Sequence, residues 1–181
     1  MDEQAQGNLQ ARTDAKLRYA QVHLEELRVL EALRGDDFER AHLESFLYHM
    51  LGAKDAFLAE INHYYDARLS AGARAGDIRA ALEKRGLKSD ELTTLHKLEQ
   101  DPASWLSQAK VMRDHSTHKT GVSRTVFMGG DDHGQVKLRN PTPDALGERH
   151  YVDQLGEWLE QMSSLLSTLR ESALRHKAAL S

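Results

Sequence analysis

Val152-Asp153-Gln154-Leu155-Gly156-Glu157-Trp158-Leu159-Glu160-Gln161-Met162 opens a run in which Val152, Leu155, Leu159, Met162, Leu166, Leu169 and Ala173 follow one another at alternating steps of three and four residues. That spacing gathers apolar side chains on one stripe of an α-helix, where a strand's two-residue period would scatter them over both faces. The pattern predicts a long last helix over about residues 144–179 with a continuous bundle seam. The stripe is longer than a lone bundle requires, so it is also a candidate surface for a second copy.

A second seam lies upstream. Leu43, Leu47, Met50, Phe57, Ile61 and Tyr64 recur near heptad spacing, and Phe46, Leu51 and Leu58 widen the stripe, which predicts the most buried helix of the domain. It starts near Asp37, where Asp36 and Glu39 have the spacing of a capping box. Before it, Leu17, Ala20, Leu24, Leu27 and Leu30 share one face of a helix over about residues 11–33, stopped by Gly35. The polar residues 1–10 are expected to be a disordered leader.

Residues 71–76 turn to Ala, Gly and Arg and are expected to form a loop. Short helices follow over residues 77–84 and 89–99, the second capped by Ser89. Asp101-Pro102 opens a further helix through Trp105, Leu106, Ala109 and Met112, ended by Gly121. From Ser123 to Arg139 the period becomes alternating. Thr125-Val126-Phe127-Met128 and Gln135-Val136-Lys137-Leu138 flank a glycine-rich turn, the pattern of a β-hairpin. The expected fold is therefore all-α, an antiparallel four-helix bundle with short extra helices and a β-hairpin insertion near 123–139. Residues 11–181 form one domain.

Composition narrows the function. The chain has 181 residues, no cysteine and a net charge of −4 at pH 7. Thiol nucleophiles, disulfide scaffolds and cysteine zinc sites are excluded, and a reducing cytoplasm is the expected setting. No apolar run is long enough for a membrane span, and no membrane partner is expected. An acidic balance argues against a dedicated DNA binder, yet Lys110, Arg113, Lys119, Arg124, Lys137 and Arg139 crowd one stretch of sequence and make a candidate anion patch.

Inside that stretch lies Arg113-Asp114-His115-Ser116-Thr117-His118. A guanidinium neutralises a phosphate and an imidazole moves a proton near neutral pH, the two capacities that phosphodiester chemistry needs. On an ideal helix Arg113 and His118 are about 140° apart, so they converge only if the helix loosens or two copies meet. Asp114 and His118 share a face, which lets the carboxylate orient the ring.

A helical bundle in which an arginine, a polar residue and then a histidine end a late helix resembles the HEPN superfamily, here through Arg113, Asp114 and His118; the helix containing Phe46-Leu47-Tyr48-His49-Met50-Leu51 is similar to its early core helices. The resemblance implies a homodimer whose two motifs face one cleft, and a metal-independent endoribonuclease of toxin or defence type, with some relatives serving only in binding. It implies no cofactor and no metal. Arg113 would hold the scissile phosphate, His118 would act on the 2′-hydroxyl or the leaving oxygen, and Asp114 would orient one of them. Ser116, Thr117 and Lys119 would contact the substrate. RNA, an antitoxin or a nucleotidyltransferase would be the partner.

Other readings stand beside this one. Arg113 can be a bundle ion-pair member with Glu44 or Asp55, and His118 a helix-end residue bonding the last carbonyls. His42 and His49, seven apart, can join His115 or His118 in an all-histidine metal site, with Glu44, Asp55 or Glu60 as further ligands. A helical scaffold without activity satisfies the same seams.

Overall fold

The computed structural model describes residues 3–31, 36–70, 72–118, 122, 124–131, 133–141 and 144–180, with the side chains of residues 3, 31, 36, 118 and 178–180 outside that description. Six helices are described: α1 (Glu3–Glu31), α2 (Asp36–Tyr64), α3 (Ala75–Glu83), α4 (Asp90–Gln100), α5 (Trp105–His118) and α6 (Tyr151–Leu180). Between α5 and α6 lie β1 (Arg124–Val126), β2 (Val136–Pro141) and β3 (Asp144–Leu146). Six described helices and one small antiparallel sheet make the protein mostly helical.

The two seams are the core. Every seam residue of α2 named above is buried, and so are all seven of α6, from Val152 at 2% exposure to Ala173 at 0%. The α6 stripe is therefore covered within the chain, and the seam itself is not available to a second copy. On α1, Ala20, Leu24 and Leu27 are buried against it while Leu17 packs at its edge.

Polar contacts fix helix directions. Gln10 reaches Tyr64, Lys16 reaches His49 and His23 meets His42, so α1 and α2 are antiparallel. Lys177 meets Gln6 and Arg170 meets Asp14, so α6 is antiparallel to α1. By the same logic α2 and α6 run parallel, joined by Glu39 with Tyr151 and Glu60 with Arg170. α5 packs on α2, with β2 on α5 and α4 beside it.

Several boundaries differ from the sequence reading. α1 begins at Glu3, so residues expected as a disordered leader form its first turns, tied down by Gln6 and Gln10 across to α6 and α2. Glu39 does not serve as a capping-box acid: it is buried, and its carboxylate accepts from Tyr151 Oη at 2.5 Å and from Arg124. α6 begins at Tyr151, because the chain after Pro141 first returns as β3, with Asn140 opposite Ala145 and Arg139 opposite Leu146. Arg139 grips Asp144 through Nε at 2.7 Å and Nη2 at 2.6 Å, holding that second turn.

The expected hairpin is present as β1 and β2, with Val126 opposite Val136 and glycines 130 and 134 at positive φ in its turn. Ser89 caps α4 by accepting from Leu92 N at 3.2 Å. α5 starts later than expected: Asp101 closes an Asx turn onto Ala103 N, and Ser104 is the residue that accepts from Ser107 N. Gly35 and Gly121, expected as helix stops, lie outside the described residues.

Candidate functional site

Lys110 and Arg113 are three apart on α5 and so share a face. That face closes one side of a cavity of about 820 Å³ whose other walls are α1, α2, the loop before α3 and Glu99 at the end of α4. Arg12 and Lys16 enter from α1, again a same-face pair, and Lys54 from α2. Lys16 crosses α2 over Gly52, where a Cβ would stand 3.6 Å from its Cδ. Arg74 stands at the N-terminus of α3, and Ala75 and Gly76 of the first turn line the same space.

Six cations therefore face two acids, Asp55 and Glu99, in a chain whose overall charge is negative. Lys54 takes both acids, with Nζ 2.5 Å from Glu99 and 3.2 Å from Asp55. Among the described residues, Arg12, Lys16, Arg74 and Lys110 have no carboxylate within ion-pair distance. Lys16 rests on the Tyr48 ring at 4.9 Å and beside His49 Nδ1 at 3.4 Å. The proximity of Lys16, after burial, helps hold His49 below its usual pKa. Backbone amides at the start of a nine-residue helix add partial positive charge to the same place. The cavity is built to attract an anion.

The described motif side chains are engaged on α5 itself. Arg113 donates through Nε at 3.1 Å and Nη2 at 2.9 Å to Asp114 Oδ1, so the acid holds the arginine. That replaces the alternative pairing of Arg113 with Glu44 or Asp55; the expected pairing of Asp114 with His118 falls on a side chain outside the described residues. Ser116 Oγ and Thr117 Oγ1 both donate to the Arg113 carbonyl at 2.9 Å, which takes up the protons expected to serve a substrate phosphate. α5 remains helical through His118, so the ideal-helix separation of Arg113 and His118 stands; the His118 side chain and Lys119 lie outside the described residues.

Nor is the basic stretch of sequence one patch in space. Arg124 turns inward to Glu39 with its guanidinium 5.3 Å from the Tyr151 ring centroid, Lys137 lies over Phe127 at 5.2 Å, and Arg139 holds Asp144. Among the described residues of that stretch only Lys110 and Arg113 enter the cavity, and Arg12, Lys16, Lys54 and Arg74 join them from remote sequence. The one advance sign of these was local: Arg12 and Lys16 stand four residues apart on an amphipathic helix, while Lys54 and Arg74 carry no such sign.

Among the described residues the all-histidine metal site is not assembled, for no three metal-ligating side chains converge there. Glu60, named as an acid for it, is fully buried and bound by Arg170 through Nε at 2.8 Å and Nη2 at 2.9 Å, with Tyr64 Oη donating at 3.0 Å. Burial pushes the Tyr64 phenol up to about 12. Glu91 is a further buried acid in a network: Tyr65 Oη and Ser89 Oγ donate to it at 2.7 and 2.6 Å. Burial alone would raise its pKa, but hydrogen bonds from Ser172, Ser89 and Tyr65 outweigh that and leave it lowered.

The chain belongs to DUF6586, a family of unknown function, whose profile matches residues 7–175. No curated protein and no solved structure matches it. Among the described residues no helix is long and apolar enough to cross a membrane.

Proposed function

We propose that this chain is an RNA-directed protein of the HEPN kind, a homodimer of antiparallel four-helix bundles formed by α1, α2, α5 and α6. A phosphodiester backbone lies in the cavity between α1, α2 and α5, and the setting is the reducing cytoplasm. The observation that carries this reading is the convergence of six cations, Arg113 among them, on one cavity of an acidic chain. Arg12, Lys16, Arg74 and Lys110 offer charge that no carboxylate among the described residues neutralises, and phosphate is the anion such a row of point charges and forks fits along its length.

Arg113 keeps donors beyond the two that Asp114 accepts, so it contacts a phosphate while Asp114 fixes its plane. Binding is thus a property of one chain. Cleavage is a property of two: with Arg113 and His118 about 140° apart on an unbroken helix, the proton-moving imidazole at one Arg113 comes from the other subunit.

Two measurements test this. Single-stranded RNA should bind, with affinity that falls steeply with salt and drops in Lys110→Ala and Arg113→Ala. Cleavage should persist in a chelator and vanish in His118→Ala. RNA that is bound but never cut identifies a silent binding member of the same kind. Failure to bind RNA, together with a monomer in solution, overturns the reading.

A further inference from the structure

Away from the cavity's anion-binding row, His23 of α1 and His42 of α2 bring their Nδ1 atoms to 3.0 Å across the helix pair. Two neutral imidazoles sustain that contact only if one Nδ1 carries a proton and the other a lone pair. The same separation suits two neighbouring ligands on one metal ion: at metal–nitrogen distances of about 2.0–2.1 Å, bond angles between square and tetrahedral set the nitrogens roughly 2.8–3.4 Å apart.

We propose that His23 and His42 bind one divalent transition ion, zinc, nickel or copper, through Nδ1, and so pin α1 to α2. Both imidazoles are neutral ligands, the Nδ1 proton having moved to Nε2 through solvent, so no net proton is released near neutral pH. Water fills the remaining positions, since no third ligating side chain converges among the described residues.

The surroundings hold the pair ready. His49 stacks on His23 with ring centroids 5.5 Å apart and planes 6° from parallel, and Phe38 meets His42 edge-on at 4.5 Å. Both histidines are only partly buried, so an ion reaches them from solvent. His49 is a wall rather than a ligand: its Nδ1 lies 3.4 Å from the Lys16 ammonium, which opposes a second cation there. Seven residues along α2 also put His42 and His49 about 10 Å apart along the axis, too far for one ion. The ligand that matters comes from the other helix.

The full chain, stripped with a chelator and titrated at pH 7.5 with nickel chloride and zinc chloride, tests the site by calorimetry and thermal melting. One ion per chain and a melting rise on the order of 5 °C at saturating metal are expected. Both effects should disappear in His23→Ala and in His42→Ala, and persist in His49→Ala, His133→Ala and Arg113→Ala. His23→Gln and His42→Gln, checked by circular dichroism, guard against a folding defect. No bound ion, or ions that bind indifferently to both substitutions, overturns the assignment. Because Arg113→Ala is expected to leave it intact, the result is independent of RNA binding.

Discussion

Arg170 and Arg113 both lie on long helices at similar exposure, 20% and 28% of the side chain, yet they do different work. Arg170 is enclosed by partners from two other helices, Glu60 of α2 and Asp14 of α1, with Tyr64 and Gln10 completing the network. Among the described residues Arg113 is held only by its neighbour Asp114, whose carboxylate is itself half-exposed, and it faces a cavity with a surplus of cations. An arginine that satisfies a buried acid is part of the fold. One that is oriented but not neutralised by its surroundings is available to a ligand.

Substitution of Arg170 should give the largest effect. Arg170→Met leaves Glu60 charged and uncompensated inside the bundle, at a cost of about 3–5 kcal/mol, seen as a melting temperature lower by on the order of 10 °C. Arg113→Ala, measured the same way, should stay within about 0.5 kcal/mol. Equal losses would erase the distinction between the two arginines.

Glu91 gives the next effect, on the acid side. Its pKa is lowered in the folded chain, so its stabilisation is present above the ordinary value of 4.5 and is lost as pH falls from there through the folded value. Acid unfolding followed by circular dichroism should therefore be shallower in Glu91→Gln, which starts less stable at pH 7. A Glu91→Gln profile parallel to that of the parent would show that the carboxylate is not held by its three hydroxyl partners.

A smaller change should appear in RNA binding. Removing one phosphate contact lowers the slope of log affinity against log salt by about 0.7 for a single strand. Arg113→Ala and Lys110→Ala should each show it, while Arg139→Ala, whose guanidinium is engaged by Asp144, should not. Filter binding at several salt concentrations checks this, and a uniform drop across all three variants would argue for diffuse charge instead of a cavity.

The smallest effect concerns His23. Its pKa is lowered, so as pH falls past 6.5 the unfolded chain takes up a proton before the folded one does, and stability declines. The charged groups it faces, His42 across the helix pair and Glu26 on its own helix, act in opposite directions, which keeps the change small. In metal-free protein His23→Gln should flatten the decline between pH 6.5 and 5, measured by chemical denaturation.

Much of the scaffold was legible in the sequence. The seams of α2 and α6, the Ser89 cap and the β1–β2 hairpin depend on residues a few positions apart, and local period reports such features directly. The errors fell where distant partners decide. Glu39 has the spacing of a cap but lies within reach of Tyr151 and Arg124, more than eighty residues on, and those partners claim it. The polar start of α1 carries no strong helical signal of its own; Tyr64 and Lys177 hold it in place. At the site, Arg113 was visible as a cation on a late helix. Its hold on Asp114 and the engagement of Ser116 and Thr117 with a backbone carbonyl depended on rotamers that the sequence leaves open.

The chain's own order of residues determined that it would be mostly helical, which faces of its helices would be apolar, and that an arginine and a histidine would stand five apart near the end of α5. Tertiary structure alone decided which cations share a cavity, which arginine is enclosed by acids, and which histidine meets His42. Burial of apolar faces is a sum over many similar side chains and survives small errors of placement. Charge pairing and ligand geometry depend on a few atoms within about 3–4 Å, a distance fixed only once the helices have packed.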